Sequence, residues 1–160
     1  MAINGLALGT NNISAQLATK LDVAGGKILQ IVRATDATNR STTSDTFVDA
    51  SISVTITPQK STSTILVLWA AACLKVAGAE LVVLQITDSS NVALSGAEGG
   101  RVGDGNAASD RAFMTLIGYS TPATTSATTY KGRFASVSLT TVTIENSNNT
   151  GQLYAIEVSA

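Results

Sequence analysis

The chain contains no histidine. That removes the Ser-His-Asp and Cys-His nucleophile arrangements and every histidine-ligated metal site. Its one cysteine, Cys73, cannot close an intrachain disulfide. Charge is scarce as well. Ten Lys and Arg against eleven Asp and Glu leave a net charge of -1, and charged residues make up 13% of the chain, where about 25% is usual. Such a surface has no electrostatic hold on a phosphate backbone, so a nucleic-acid partner is not expected. Aromatic residues are 4% of the total, enough for a core and too few for a stacked carbohydrate-binding platform. No apolar run approaches the ~18 residues of a membrane-spanning helix, and no membrane partner is expected. The longest run, residues 65–74, reads as a buried strand. The start, Met1-Ala2-Ile3-Asn4-Gly5, lacks the basic opening of a secretory signal. Asn-x-Ser/Thr triplets at Asn12, Asn39 and Asn148 are expected by chance in this composition.

What the chain does have is apolar and hydroxyl-bearing residues. Hydrophobic side chains are 44% of 160 residues, and Ser and Thr supply about a quarter. That length suits one full-sized domain. Residues 1–26 differ from the rest, being small and apolar without strand alternation. Ile3, Leu6 and Leu8 come first. Ile13, Leu17 and Leu21 then recur every fourth position, a helical spacing that Asn12 or Ser14 could cap. Two or three turns are too few to stand alone in water. Gly25-Gly26 marks a hinge. The segment reads either as a frayed terminus or as an extended or short-helical arm that orders on a partner.

From Lys27 onward the signals are β. Residues 28–32 form a short apolar run between Lys27 and Arg33. Residues 51–57 alternate strictly, with Ile52, Val54 and Ile56 on one face and Ser and Thr on the other. Pro58 ends that run. Residues 65–69, which include Leu66, Leu68 and Trp69, are apolar on both faces, as are residues 81–84 with Leu84. Such strands are central in a sandwich or covered by a second subunit. Residues 88–91 read as a turn, and the glycine-rich residues 95–110 as a long loop. Strand character returns at residues 113–119, at residues 129–134 with Phe134, and at residues 141–144. It returns last at residues 153–158, with Tyr154 and Ile156. Asn148-Asn149-Thr150-Gly151 predicts a hairpin between the final two strands. About eight strands without a strong helix predict an all-β fold, an antiparallel β-sandwich for which jelly-roll topology is open. The division expected is an arm, 1–26, and a sandwich body, 27–160.

No catalytic constellation emerges. The glycine loop at residues 96–105 lacks the Gly-Lys-Ser/Thr ending of a phosphate loop. Asp104 and Asp110 have no calcium-loop spacing. Glu145 and Glu157 could face each other across the final hairpin, but surface glutamates in facing strands are ordinarily solvated rather than catalytic. Cys73 lies in an apolar stretch with no base to activate it. Neither an enzyme nor a cofactor is expected.

A family resemblance rests on four early segments and the end of the chain. Gly26-Lys27-Ile28-Leu29-Gln30-Ile31-Val32, Ser44-Asp45-Thr46-Phe47-Val48-Asp49, Ser53-Val54-Thr55-Ile56-Thr57-Pro58 and Ser63-Thr64-Ile65-Leu66-Val67 resemble a module of tailed-phage virion proteins. The module is found chiefly in phages of cyanobacteria and other aquatic hosts, and Leu153-Tyr154-Ala155-Ile156-Glu157-Val158 is similar to its close. The likeness spans residues 26–159. It implies a β-sandwich that decorates or extends the virion, often as a homotrimer, with no catalysis. The sequence carries neither shaft repeats nor heptads, so the setting it suits better is a capsid decoration (cement) protein on the outer capsid surface. A head or tail fibre module that binds host surface or glycan is the alternative. Under this reading Ile3, Leu6, Leu8, Ile13, Leu17 and Leu21 would contact the major capsid protein. Ile52, Val54, Ile56, Leu66, Leu68, Trp69, Leu84, Phe134, Tyr154 and Ile156 would form the core or a trimer interface.

Overall fold

Serine- and threonine-rich alternation can bury only one face of a strand, and two such faces must meet to make a core. The computed structural model describes residues 26–76, 81–103 and 108–159, and there the chain is all β. Ten strands follow one another: β1 (Ile28–Asp36), β2 (Arg40–Thr42), β3 (Val48–Ile56), β4 (Thr64–Lys75), β5 (Val82–Asp88), β6 (Gly100–Val102), β7 (Asp110–Ser120), β8 (Thr128–Ser136), β9 (Val142–Ile144) and β10 (Gly151–Val158). They form two antiparallel sheets. One runs β1-β10-β4, with β7 on the far side of β4 and β9-β2 continuing from it. The other runs β3-β8-β5-β6.

The pairings disclose how the chain is wound. β1 pairs with β10, β3 with β8, β4 with β7 and β5 with β6. The chain is therefore one long antiparallel ribbon with its tip at β5–β6, rolled so that successive rungs fall alternately into the two sheets. That is jelly-roll topology. The first and last strands lie side by side, with Ile28 opposite Val158. Lys27 and Ser159 extend the pairing through the Ser159 N–H on the Lys27 carbonyl. Gly26 passes so close to Val158 that a Cβ there would overlap its side chain.

The core lies between the sheets. Ile52, Val54 and Ile56 from β3, Leu84 from β5 and Tyr130 and Phe134 from β8 meet Ile65, Val67 and Trp69 from β4 and Leu153 and Ala155 from β10, all buried. Trp69 fills the centre, and β8 makes room for it with Gly132, where a Cβ would stand 2.9 Å from the indole. In β3 the ladder is broken between Asp49 and Ser53 by a bulge. Ser51 takes a left-handed conformation there (φ 57°) and gives its N–H to the Asp49 carboxylate.

Three expectations change. The glycine-rich residues 95–110 are not wholly loop, because Gly100–Val102 pairs with the edge of β5. The final hairpin does not form. β9 and β10 do not pair with each other but lie one after the other along the same edge of β4, β10 opposite residues 64–70 and β9 opposite residues 73–75. Glu145 and Glu157 are accordingly far apart in register, and neither is solvated: their exposures are 8% and 0%.

Candidate interaction surface

The outward faces of the two sheets have opposite chemistry. On the β3-β8-β5 sheet the outward positions are polar apart from the paired Val83 and Ala135, and the polar ones engage one another. Thr55 and Thr129 are hydrogen-bonded across the strands at 2.7 Å, Lys131 reaches Asn91, Arg133 reaches the Phe47 carbonyl and Gln85 the Glu98 carbonyl. This is an ordinary water-facing sheet.

The outward face of β1-β10-β4-β7 is apolar. Alternation along each strand places Trp69, Val67 and Ile65 inward, and Leu66 and Leu68 outward. The register then builds rows across four strands. One row runs Ile31, Ile156, Leu66, Tyr119. The next runs Arg33, Tyr154, Leu68, Ile117. Beyond a mostly polar row of Thr35, Gln152, Ala70 and Thr115, Phe113 stands opposite Ala72 further along β7. Ile31, Phe113, Ile117 and Tyr119 are all about half exposed or more, with Phe113 at 74%. The only charges that the register places among these rows are Arg33, whose guanidinium stands over the Tyr154 ring at 5.8 Å, and Arg111, held by Glu145 at 2.8 Å. Aromatic and Arg enrichment with few other charges is the compositional mark of an interface core.

The sequence-derived candidates thus divide between two surfaces. Ile52, Val54, Ile56, Trp69, Leu84 and Phe134 lie in the core, whereas Leu66, Leu68, Tyr154 and Ile156 lie on the outer apolar face. Phe113, Ile117, Tyr119 and Ile31 belong to the same face and were not singled out from the sequence. The signal was available in β7, where Arg111, Phe113, Thr115, Ile117 and Tyr119 alternate with the inward set. The capsid-contact candidates Ile3, Leu6, Leu8, Ile13, Leu17 and Leu21 lie outside the described residues.

The face has a hollow at one end. Because β10 stops pairing at Ala70 and β9 begins at Cys73, the edge of β4 is shared and its junction falls at Ala70–Ala72. On the outer side, Ala70 and Ala72 present only methyl groups there and leave the junction unfilled, while Ala71 faces the core. The result is a hollow of about 320 Å³, walled by Phe113, Thr115, Asn149, Thr150 and Gln152.

At the opposite end Glu157 holds the sandwich together. Its phase with Leu153 and Ala155 points it inward rather than into solvent. One carboxylate oxygen accepts the Gln59 N–H at 2.8 Å and the Lys60 N–H at 3.3 Å. The other accepts the Gln30 side-chain amide at 2.6 Å. Burial pushes the carboxyl pKa up, but these donors outweigh it and hold it below its ordinary value. The group ties β10, β1 and the β3–β4 turn into one corner.

Two further titratable groups are displaced by burial. Cys73 is buried, and burial, with the Glu145 charge second, pushes its thiol up to about 12. A thiol so protonated is a packing group rather than a nucleophile. Tyr130 is raised chiefly by burial and gives its hydroxyl to Ser120. Among the described residues, no three Cys, Asp or Glu side chains gather closely enough to hold a metal ion. No family model matches the chain, and no curated protein matches it.

Proposed function

We propose that the protein is a structural component of a phage virion, a capsid decoration protein that assembles with copies of itself and binds the outer surface of the head. The observation that carries this reading is the unequal sandwich: one outer face polar and internally hydrogen-bonded, the other apolar over four strands. An exposed apolar patch of that continuity marks a contact surface rather than a water boundary. Low net charge leaves little repulsion between copies.

Self-association as a homotrimer gives the leading segment its leverage. Six aliphatic side chains, Ile3, Leu6, Leu8, Ile13, Leu17 and Leu21, bury too little area to offset the ordering of some twenty residues on their own. Three segments tethered to one body raise the effective concentration of each for the next capsid site. The close passage of Gly26 over Val158 puts the exit of that segment beside the apolar face. The function is mechanical: a ligand bound only by the assembled shell stabilises the shell by linkage.

Sedimentation with undecorated capsids tests the attachment. The intact protein is expected to co-sediment, and protein trimmed by trypsin at Lys20 and Lys27 is expected to stay in solution. Equal binding by both forms would reject the arm as the attachment element.

A further inference from the structure

The apolar outer face carries a protrusion and a recess side by side. Phe113 stands 74% exposed on β7, and the hollow of about 320 Å³ opens next to it over Ala70 and Ala72. We propose that the face packs against a second copy of the chain, with Phe113 of one copy seated in the alanine-floored hollow of the next. The inference rests on the self-association proposed above and names its contact.

Size selects a second copy as the occupant. Four strands at about 4.8 Å and some nine residues at about 3.3 Å make the face about 20 Å by 30 Å, on the order of 600 Å² in plan. That is at the upper end of what a monomer leaves exposed, and it approaches the roughly 800 Å² that each partner contributes to a standard interface. The hollow is many times the ~30 Å³ share of one water, so filling it with solvent would wet methyl groups that gain nothing from it. An aromatic ring supplies apolar bulk, while Gln152, Thr115 and Asn149 at the wall offer a polar rim. A protrusion beside its recess can be used reciprocally by two copies or head to tail around a ring, and the head-to-tail arrangement is the one that suits the proposed trimer.

The test is sedimentation equilibrium on Phe113→Ser, which removes the protrusion, and Ala70→Leu, which fills the recess, with Leu139→Ser as the control on an exposed site away from the face. Circular dichroism and melting confirm that each variant is folded. The wild type is expected to associate, with Leu139→Ser unchanged and each of the two face variants weakened at least tenfold in dissociation constant. As a second measurement, Phe113→Cys and Ala70→Cys chains are mixed and oxidised; the native Cys73 is buried and does not interfere. A covalent dimer joining the two kinds of chain supports the contact. Association undiminished in both Phe113→Ser and Ala70→Leu, or no such mixed dimer, would overturn it while leaving self-association standing. A wild type that stays monomeric at every concentration would remove the self-association reading as well.

Discussion

Glu157 shows how much one side chain can decide in this molecule. A buried carboxylate is costly unless its oxygens are satisfied, and here two backbone N–H groups and an amide satisfy them. Glu157→Gln must turn its own NH₂ toward at least one of those donors. It is expected to cost about 1–3 kcal/mol at neutral pH, read from denaturant unfolding. The folded-state pKa lies below the ordinary glutamate value of 4.5. The stabilisation from the ionised group is therefore complete above that value and fades as the pH falls through the lower folded-state value. The gap between wild type and Glu157→Gln is accordingly expected to close in acid. A gap that is the same at pH 7 and pH 3 would mean that folding does not lower the pKa of this carboxyl. Sequence alone predicts a solvated Glu157, and its phase with Leu153 and Ala155 turns it inward instead. Its partners were not legible, because Gln30 and Gln59 lie about a hundred or more positions away and meet it only once the ribbon has rolled.

Strands follow their sequence patterns closely where one face is polar. β3 is the clear case: its strict alternation sets the inward Ile52, Val54 and Ile56 against the Ser and Thr outside. The failure came at β9 and β10. Asn-Asn-Thr-Gly fits a hairpin turn, but a local turn signal cannot report that β4, at twelve residues, offers an edge long enough for both strands in succession. Tertiary pairing overrode the local preference. Gly132 in β8 is a second element-scale constraint. It lets the sheet close over Trp69, with Ile52 on the other side at 3.0 Å from the position of a Cβ. Gly132→Ala forces an extra methyl into a filled core and is expected to cost about 1–3 kcal/mol, seen as a lowered melting temperature. An unchanged melting temperature would show that the Trp69 indole can shift without penalty.

At the scale of the whole molecule, the pattern announced two-sided apolar strands but not which side becomes the core. Leu66 and Trp69 are equally hydrophobic in the sequence, and only the partner sheet tells them apart. The same ambiguity kept Phe113 from notice, since its strand alternates apolar residues in both phases. If the outer face is covered by copies, unfolding is coupled to dissociation. The melting temperature is then expected to rise with protein concentration by mass action, most simply read in scans over a hundredfold range. A melting temperature independent of concentration, with a mass of 16.3 kDa by light scattering, would mean that each chain is stable without a neighbour.

The neighbouring of Lys27 and Ser159 has a practical corollary for anyone who wishes to display a passenger on this scaffold. A graft after Ser159 would emerge beside Lys27 and, if the leading segment binds the capsid as proposed, would crowd that contact. The turn at residues 137–141, with Leu139 largely exposed, sits beside Val76 at the other end of the sandwich, about the length of the twelve-residue β4 away, roughly 40 Å. Cargo inserted there would project from the far pole and leave that contact clear.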